Sequence, residues 1–351
     1  MTADFINMAD YGLPEPYSPA PEEGLCIGRI LAQDKGLYRL ICEKGELAAE
    51  PSGKLRFQAR SGAELPAVGD FVWTRCSQDG TLAVIHSILP RRSVFVRRAA
   101  GTAHTHQVVA ANIDTVFLCM SLNNDFNIRR LERYLTVAWD SGAAPVIVLT
   151  KADLCPDPLP LLQAVEECAM GVDILLTSAL TGDGYRKLLP YLRPSKTVAL
   201  LGSSGVGKST LINRLLGQER LATNGLRNDD KGRHTTTRRE LLLLPGGGLI
   251  IDTPGMRELG LWDAGEGLEQ TFADIEALTA QCRFRNCSHA GEPGCAVQAA
   301  LDSGALSRDR WLSYQKLARE NEYAKCAGEY LAQKNEKFKS IAKINKTNRK
   351  K

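Results

Sequence analysis

The sequence predicts an α/β domain with a mostly parallel sheet, preceded by an all-β barrel and followed by a helical carboxy-terminal part. Short runs of β-forming residues, broken by turn residues, fill the region after residue 24, as in small barrels. From about residue 94, almost wholly apolar runs alternate with amphipathic ones, which is typical of parallel strands covered by helices on both faces. We therefore divide the 351 residues into a mobile leader (1–23), a barrel (24–93), an α/β domain (94–262) and a helical domain with a basic tail (263–351).

The composition is ordinary for a globular protein: 44% of the residues are hydrophobic, 24% are charged and the formal net charge is +4. This charge is too small to indicate nucleic-acid binding on its own, so its distribution matters more. The first 21 residues lack the basic and apolar segments of a signal peptide, and no apolar run reaches the roughly 18 residues of a membrane span. We expect a cytoplasmic protein without a membrane partner.

The barrel region contains short β-forming runs whose number and spacing favour an OB-fold. These runs are Cys26–Leu31, Leu37–Cys42, Glu46–Glu50, Lys54–Phe57, Asp70–Thr74 and Leu82–Ile88. The basic residues of the region are Arg29, Arg39, Lys44, Lys54, Arg56, Arg60 and Arg75. OB barrels often bind single strands or RNA loops, but the same charges also fit an ordinary solvated surface, and both interpretations stay open here.

The α/β domain follows a basic connector, Arg91–Arg98, and alternates predicted strands with predicted helices. The strands are Thr115–Met120, Pro145–Leu149, Asp173–Thr177, Thr197–Leu201 and Leu249–Ile251. The helices are Ile128–Asp140, Leu159–Met170 and Tyr185–Leu192. In open sheets of this kind the ligand binds at the carboxyl ends of the strands, where we expect the binding site of this domain.

A glycine-rich octet, Gly202–Ser209, lies between the strand Thr197–Leu201 and a helical run that begins at Thr210. This strand-to-helix context is the one that a phosphate-binding loop requires, because backbone N–H groups and the helix N-terminus then surround the phosphates. Lys208 can reach the terminal phosphates and Ser209 can ligate Mg²⁺. The candidate phosphate-binding residues are Gly202, Ser203, Ser204, Gly205, Val206, Gly207, Lys208, Ser209 and Thr210.

Two further motifs end successive predicted strands and indicate recognition of guanine. Thr150-Lys151-Ala152-Asp153 follows Pro145–Leu149, and Ser178-Ala179 ends the strand that begins at Asp173. An aspartate carboxylate can accept two hydrogen bonds from guanine, whereas adenine has no such pair of donors, so the discrimination is ~10⁴-fold. The candidate base-binding residues are Thr150, Lys151, Ala152, Asp153, Ser178 and Ala179.

Two segments after the octet have the chemistry of nucleotide switches. Asp252 ends the strand Leu249–Ile251 and can hold Mg²⁺ through a water, and the Gly255 N–H can contact the γ-phosphate. The segment 232–237 contains three adjacent threonines, one of which can close over the metal and phosphate in the triphosphate state; we select Thr236, and its two neighbours stay open as alternatives. With Lys208, Thr236 is therefore a candidate catalytic residue.

Only three of the ten cysteines cluster in the sequence, together with a histidine. Cys282, Cys287, His289 and Cys295 lie within fourteen residues, and four such ligands at short spacing fit one structural Zn²⁺ in a closed tetrahedral site. The alternative is three unrelated thiols beside a surface histidine. The other seven are expected to be isolated, reduced thiols: Cys26, Cys42, Cys76, Cys119, Cys155, Cys168 and Cys326.

The carboxy-terminal region combines a helical run, Leu306–Gln333, with a strongly basic tail from Lys334 to Lys351. A solvated tail and a tail that contacts a phosphate backbone both fit this charge pattern.

The order of the motifs, with base recognition before the phosphate loop, is a circular permutation of the usual order in GTPases. With the barrel and the cysteine cluster, it makes the chain resemble the ribosome small subunit-dependent GTPase A family (RsgA, also called YjeQ) over about residues 24–330. The resemblance implies a circularly permuted P-loop GTPase domain with an amino-terminal OB-fold and a carboxy-terminal zinc-binding domain. One departure from the usual base motif is Thr150, because asparagine is common at this position in GTPases. A threonine hydroxyl can replace only part of the contacts that the asparagine amide makes.

The resemblance further implies a GTP hydrolase that binds the small (30S) ribosomal subunit and its rRNA during late maturation. GTP and GDP would control binding and release, Mg²⁺ would accompany GTP, and we expect a monomer. An alternative is a GTP-gated RNA-binding chaperone in which hydrolysis is incidental. A P-loop kinase acting on a small metabolite is disfavoured by the base motif and the switch threonines.

Many GTPases carry a glutamine directly after the Asp-x-x-Gly motif to orient the attacking water. In this chain the residue at that position is Met256, whose thioether cannot donate a hydrogen bond. His234 is the candidate instead, since it precedes the switch threonines and members of the resembled family carry a histidine in the same Gly-x-His-Thr-Thr context. The alternative is a surface histidine in a mobile loop.

Overall fold

The computed structural model describes residues 5–14, 22–34, 36–59, 61–77, 80–98, 106–221, 239–252 and 265–325. The strands are β1 (Cys26–Asp34), β2 (Leu37–Cys42), β3 (Gly45–Pro51), β4 (Phe71–Cys76), β5 (Leu82–Ile88), β6 (Val94–Arg98), β7 (His106–Ala111), β8 (Thr115–Ser121), β9 (Ala144–Thr150), β10 (Asp173–Leu176), β11 (Thr197–Leu201), β12 (Arg239–Leu243) and β13 (Leu249–Asp252). The helices are α1 (Gly53–Gln58), α2 (Ile128–Asp140), α3 (Leu159–Cys168), α4 (Lys208–Leu216), α5 (Gly265–Thr271), α6 (Ala273–Thr279), α7 (Ala296–Ser303) and α8 (308–325).

The amino-terminal strands form the closed five-stranded barrel that the sequence predicts. Its order is β1-β2-β3-β5-β4, and antiparallel pairing of β1 with β4 closes it. Strands β3 and β5 pair in parallel, and α1 lies between β3 and β4 in the chain. The predicted strand Lys54–Phe57 is wrong, because the Ser52 side chain accepts a hydrogen bond from the Leu55 N–H and caps α1.

The α/β domain has the strand order β10-β9-β8-β11-β13-β12, in which only β12 runs antiparallel to its neighbour. The core strand β8 is buried along its whole length, as its apolar sequence predicts. Strand β12 was not predicted, and it pairs with β1 through Ala32 and Glu240. The sheet of the α/β domain therefore continues into the barrel as one sheet of eleven strands among the described residues.

Two further segments differ from the prediction. The expected helix Tyr185–Leu192 is instead two short 3₁₀ turns, Tyr185–Lys187 and Leu189–Tyr191, because Pro190 has no N–H to continue a helix. The expected basic connector is partly strand β6, which pairs with β7 in a separate hairpin. Arg91 binds the buried carboxylate of Asp70 through two hydrogen bonds of 2.8 and 2.7 Å.

Part of the segment expected to be a mobile leader packs on the protein. Met8 is buried in the main core, and the Ser195 hydroxyl donates a hydrogen bond of 2.5 Å to the Ala9 carbonyl. Arg29, which the sequence placed among the surface charges of the barrel, is fully buried. Its guanidinium donates to the backbone carbonyls of Tyr11 and Asn112, among other acceptors, so it joins the leader, the barrel and the α/β domain.

The carboxy-terminal helices pack against α2 of the α/β domain. Glu132 of α2 is completely buried and accepts hydrogen bonds from Arg310 and Ser313 of α8 at 3.0 and 2.5 Å. The Phe272 side chain, between α5 and α6, is also completely buried. Within the described ranges, the structure has no helix that is long and apolar enough to cross a membrane.

Candidate functional site

The parallel strands bring three of the sequence motifs to one edge of the sheet. The phosphate loop follows β11, the base motif follows β9 and Asp252 is the last residue of β13. Ser178 follows β10, the neighbour of β9. Residues separated by about a hundred positions in the chain therefore come together at the carboxyl ends of the strands, where the fold class predicts a ligand-binding cleft.

The phosphate loop has a backbone that only glycine allows at two positions. Gly207 has a φ of +103° directly before α4, where other residues are strained. A Cβ on Gly202 would lie 2.5 Å from the Cys119 carbonyl oxygen. The Lys208 ammonium donates hydrogen bonds of 2.7 and 2.6 Å to the carbonyls of Gly202 and Ser203, so it lies across the loop where phosphates would bind.

Thr150 connects the base motif to the phosphate loop. Its buried hydroxyl donates a hydrogen bond of 2.6 Å to the backbone carbonyl of Val206 in the loop. Val206 is itself buried, so this carbonyl has little access to water. Thr150 thus holds the base motif and the phosphate loop together, although asparagine is the common residue at this position.

The base-recognition residues form a turn on the neighbouring strands. The Asp153 carboxylate accepts a hydrogen bond of 2.5 Å from the buried Ser178 hydroxyl, and the Ala152 N–H donates to the Thr177 carbonyl at 3.1 Å. Lys151 has a left-handed backbone with a φ of +57°. This arrangement fixes the Asp153 side chain at the edge of the cleft, with carboxylate oxygens that can accept further hydrogen bonds.

Asp252 lies at the end of β13, opposite Glu240 in the register with β12. Burial raises its pKa to about 6, while the positive charge of Lys208 lowers it and Glu240 raises it further. A carboxylate that has lost part of its hydration gains from a nearby cation. Asp252 and Ser209, in the first turn of α4, are therefore chemically suited to hold Mg²⁺ beside a bound triphosphate.

The predicted metal residues of the carboxy-terminal domain come together in space. The ligand atoms of Cys282, Cys287, His289 and Cys295 all lie within 4.8 Å of one another. The Nδ1 atom of His289 lies 3.6 Å from the Cys282 sulfur and 3.5 Å from the Cys295 sulfur. Ligands bound to one tetrahedral Zn²⁺ at about 2.0–2.3 Å have separations of ~3.3–3.8 Å, so these four residues fit that ion.

The cluster formed by Cys282, Cys287, His289 and Cys295 is connected to the surrounding helices. Cys295 caps α7, because its sulfur accepts a hydrogen bond from the Gln298 N–H at 3.4 Å. The His289 ring packs edge-on against Trp311 of α8, with 5.6 Å between ring centroids. A metal ion at this position would therefore hold α7 and α8 together.

Comparisons with known proteins identify the family. The family model described as RsgA GTPase matches residues 88–262. A relative from Lactiplantibacillus plantarum, named small ribosomal subunit biogenesis GTPase RsgA 2, is 53% identical over 91% of this chain and 90% of its own length. The chain belongs to the RsgA GTPase family. A second relative, the small ribosomal subunit biogenesis GTPase RsgA of Opitutus terrae, is 50% identical over 92% of this chain and 91% of its own.

Solved structures of the family have the same fold. YjeQ from Thermotoga maritima has a TM-score of 0.63 and 28% identity, covering 84% of this chain and 98% of its own. YloQ, described as a circularly permuted GTPase, has a TM-score of 0.61 and 26% identity, covering 88% of this chain and 99% of its own. These matches confirm the predicted fold class, with its permuted GTPase domain and the flanking barrel and helical domains.

Three of the predicted site residues lie outside the part of the chain that the structure describes. These are Thr236, His234 and Gly255. Their roles in an RsgA GTPase stay predictions from the sequence, as does a contact of the basic tail beyond residue 325 with RNA.

Two contacts at the site were not predicted from the sequence. The Ser203 hydroxyl of the phosphate loop donates to Asp125 at 2.5 Å, and Arg130 also binds this carboxylate. Burial raises the pKa of Asp125, but the hydrogen bonds from Ser203 and Arg130 outweigh it and lower the pKa overall. Arg214 of α4 donates to the Ala179 carbonyl at 2.7 Å, which links the phosphate-loop helix to the base-binding turn. No local motif marks either pair.

Three cysteines that were expected to be isolated also meet in the structure. The sulfur atoms of Cys26, Cys42 and Cys76 lie within 4.8 Å of one another, where β1 begins and β2 and β4 end. The prediction of scattered thiols is wrong for these three, because the barrel register brings together residues that are far apart in the chain.

Proposed function

We propose that this GTPase acts in the maturation of the small ribosomal subunit, which it binds with GTP and leaves after hydrolysis. The observation that carries the proposal is the close match, over about nine-tenths of both chains, to relatives named small ribosomal subunit biogenesis GTPases. The nucleotide cleft described above supplies the chemistry for a switch of this kind.

The nucleotide would occupy the cleft with Asp153 on the guanine edge and the amides of the phosphate loop around the phosphates. Mg²⁺ would be held by Ser209 and, through a water, by Asp252, and it would neutralise charge on the β- and γ-phosphates. Lys208 would exchange its two backbone acceptors for phosphate oxygens. The position of each residue at one edge of the sheet supports these roles.

The barrel has a surface suited to an RNA partner. On α1 the Phe57 ring is 91% exposed, and Lys54 and Arg56 are exposed beside it. An exposed aromatic ring with cations nearby in the chain can stack on an unpaired base while the cations contact the backbone. This surface supports rRNA as the partner and the cytoplasm, where ribosomes assemble, as the location.

The motif order would couple the nucleotide to the helical carboxy-terminal domain. The segment 253–264 connects β13, which ends at Asp252, directly to α5 of the helical domain. A shift of this segment in response to the γ-phosphate would therefore act on the helical domain through the chain itself. One structural Zn²⁺, held by the Cys282, Cys287, His289 and Cys295 cluster, would keep that domain rigid enough to respond.

The test compares GTP turnover with and without purified small ribosomal subunits. Strong stimulation of turnover by subunits supports the proposal, with Lys208→Ala as the control that lacks the phosphate-binding ammonium. Binding that depends on GTP but leaves turnover unstimulated would favour a GTP-gated RNA chaperone instead. A chain that neither binds subunits nor responds to them would contradict the proposal.

A further inference from the structure

A second group of metal-type ligands lies in the barrel, far from the Cys₃His cluster in the chain. Cys26 is on β1, Cys42 on β2 and Cys76 on β4. The Cys76 sulfur lies 3.8 Å from that of Cys26 and 4.0 Å from that of Cys42. Cys42 is buried, whereas the other two are half-buried, so the group has one side in the barrel core and one side open to an entering ion.

These separations match thiolates around one metal ion. In a tetrahedral site with Zn–S bonds of about 2.3 Å, two bound sulfurs lie ~3.8 Å apart. The two separations from the Cys76 sulfur therefore need little change on binding, and the sulfurs of Cys26 and Cys42 are already within 4.8 Å of each other. The barrel provides three ligands, and a water would complete the tetrahedron.

The strand register does not favour a disulfide among the three. Cys26 is directly opposite Thr74 in the β1–β4 pair, so Cys76 is two residues removed along β4. Cys42 is opposite Gly28, again two residues from Cys26. Diagonal positions on neighbouring strands have Cα atoms about 7–8 Å apart, which is beyond the usual span of a disulfide.

The surroundings of the three sulfurs suit a thiolate cluster. Burial raises the pKa of Cys76, whereas the positive charge of the Lys44 side chain favours the thiolate forms of both Cys76 and Cys42. A positive charge of this kind offsets part of the negative charge that three thiolates bring. As thiols, Cys26 and Cys42 now donate to the carbonyls of Thr74 and Gly45, at 3.6 Å each.

We propose that Cys26, Cys42 and Cys76 bind a second Zn²⁺ that cross-links the three strands at the closure of the barrel. On binding, the three thiols release their protons to solvent and the thiolates take the ion. The ion would join β1 to both of its neighbours in the barrel, including β4, whose pairing with β1 closes it. A barrel of this size has a small core, so a metal cross-link would add stability where hydrophobic burial is limited.

The experiment measures zinc in the full-length chain after equilibration with Zn²⁺ under reducing conditions and removal of loosely bound ion. We expect about two equivalents in the wild type and about one in Cys42→Ser and in Cys76→Ser. Cys155→Ser is the matched control, since Cys155 is half-buried like Cys76 but lies outside both clusters, and it should keep about two. One equivalent in the wild type, unchanged by Cys42→Ser, would overturn the proposal.

A second measurement needs no substitution in the barrel and so does not depend on how a variant folds. Thiols of the folded wild type are alkylated with and without Zn²⁺, and the modified cysteines are located by mass spectrometry. We expect Zn²⁺ to protect Cys26 and Cys76 at least tenfold, while the reactivity of Cys155 stays the same. Equal alkylation of Cys26 and Cys76 with and without Zn²⁺ would overturn the proposal, as would their oxidation to a disulfide in the presence of the ion.

Discussion

The side-chain hydroxyl of Thr150 donates a hydrogen bond of 2.6 Å to the backbone carbonyl of Val206. Thr150 ends β9 and Val206 lies in the loop after β11, so the bond crosses the position of β8, which separates the two strands in the sheet. It joins the base motif directly to the phosphate loop, alongside the contact of Arg214 of α4 with the Ala179 carbonyl. The shape of the phosphate loop therefore depends on a residue of the base motif.

We predict that Thr150→Val weakens GDP binding by about tenfold, since a buried carbonyl left without its donor costs ~1–3 kcal/mol and allows the loop to move. Isothermal titration calorimetry would measure the affinity. Thr150→Ser keeps the hydroxyl and should bind GDP as the wild type does. Thr115→Val is the matched control, because Thr115 is also a buried strand threonine but begins β8 at the opposite edge of the sheet. Unchanged binding in Thr150→Val would show that the bond does not shape the loop.

Guanine selectivity is predicted to depend on Asp153. Asp153→Asn replaces an acceptor of two hydrogen bonds with an amide, so GTP affinity should fall roughly 10²- to 10³-fold. The xanthine base has an oxygen where guanine has its amine, so XTP should bind the variant more tightly than GTP. Competition between labelled GTP and XTP measures this exchange.

Asp157→Asn is the control for Asp153→Asn, because Asp157 is an exposed carboxylate only four residues away, at the start of α3. It should keep the wild-type preference for GTP. An Asp153→Asn variant that retains GTP affinity and gains none for XTP would contradict the assignment.

Local patterns in the sequence predicted those parts of the molecule that depend on neighbours in the chain. The octet Gly202–Ser209 and the spacing from Cys282 to Cys295 are of this kind, since the chemistry fixes the spacing. The OB-fold was predicted from the number and order of short strands. Its helix α1 was missed because a single cap, Ser52, overrides the β-forming character of the residues after it.

Contacts that depend on the pairing of distant strands could not be predicted. Cys26, Cys42 and Cys76 meet only because β1 pairs with β2 and β4 in one particular register. Arg29 has the sequence of a surface charge, yet it is buried because backbone carbonyls from three segments surround its guanidinium. Neither the meeting of the three cysteines nor the burial of Arg29 is accompanied by a periodicity or a residue spacing that can be recognised in the sequence.

Removal of one zinc-type ligand is predicted to loosen the helical domain. Cys287→Ala should lower the zinc content by about one equivalent, because a structural site with three remaining ligands binds the ion far less tightly. A bound metal ion would then no longer hold the His289 ring against Trp311. Metal analysis combined with limited proteolysis of residues 265–325 measures both effects. A wild-type chain without zinc, or a variant as resistant to protease as the wild type, would contradict the prediction.

Two ion pairs between α2 and α8 are predicted to differ in their effect on stability. Arg310 binds the fully buried Glu132 and also Asp274, whereas Arg133 pairs with Glu320, and both of those side chains are about 30% exposed. Arg310→Met leaves Glu132 buried with fewer partners and should lower the free energy of unfolding by ~3 kcal/mol. Arg133→Met is the matched control and should cost less than ~1 kcal/mol. Urea denaturation measures both, and equal losses would show that burial of Glu132 does not decide the difference.

The last prediction concerns the water that attacks the γ-phosphate. Met256 replaces the glutamine that often orients this water, and its thioether cannot donate a hydrogen bond. An imidazole can both accept and donate, so His234 is predicted to take this role in the complex with the small subunit. His234→Ala should then lower subunit-stimulated GTP turnover by roughly 10²-fold and leave nucleotide affinity nearly unchanged. His234→Gln keeps a donor and an acceptor and should retain part of the stimulated rate, which a purely structural role would not explain. If His234→Ala retains the full stimulated turnover, a residue other than His234 orients the attacking water.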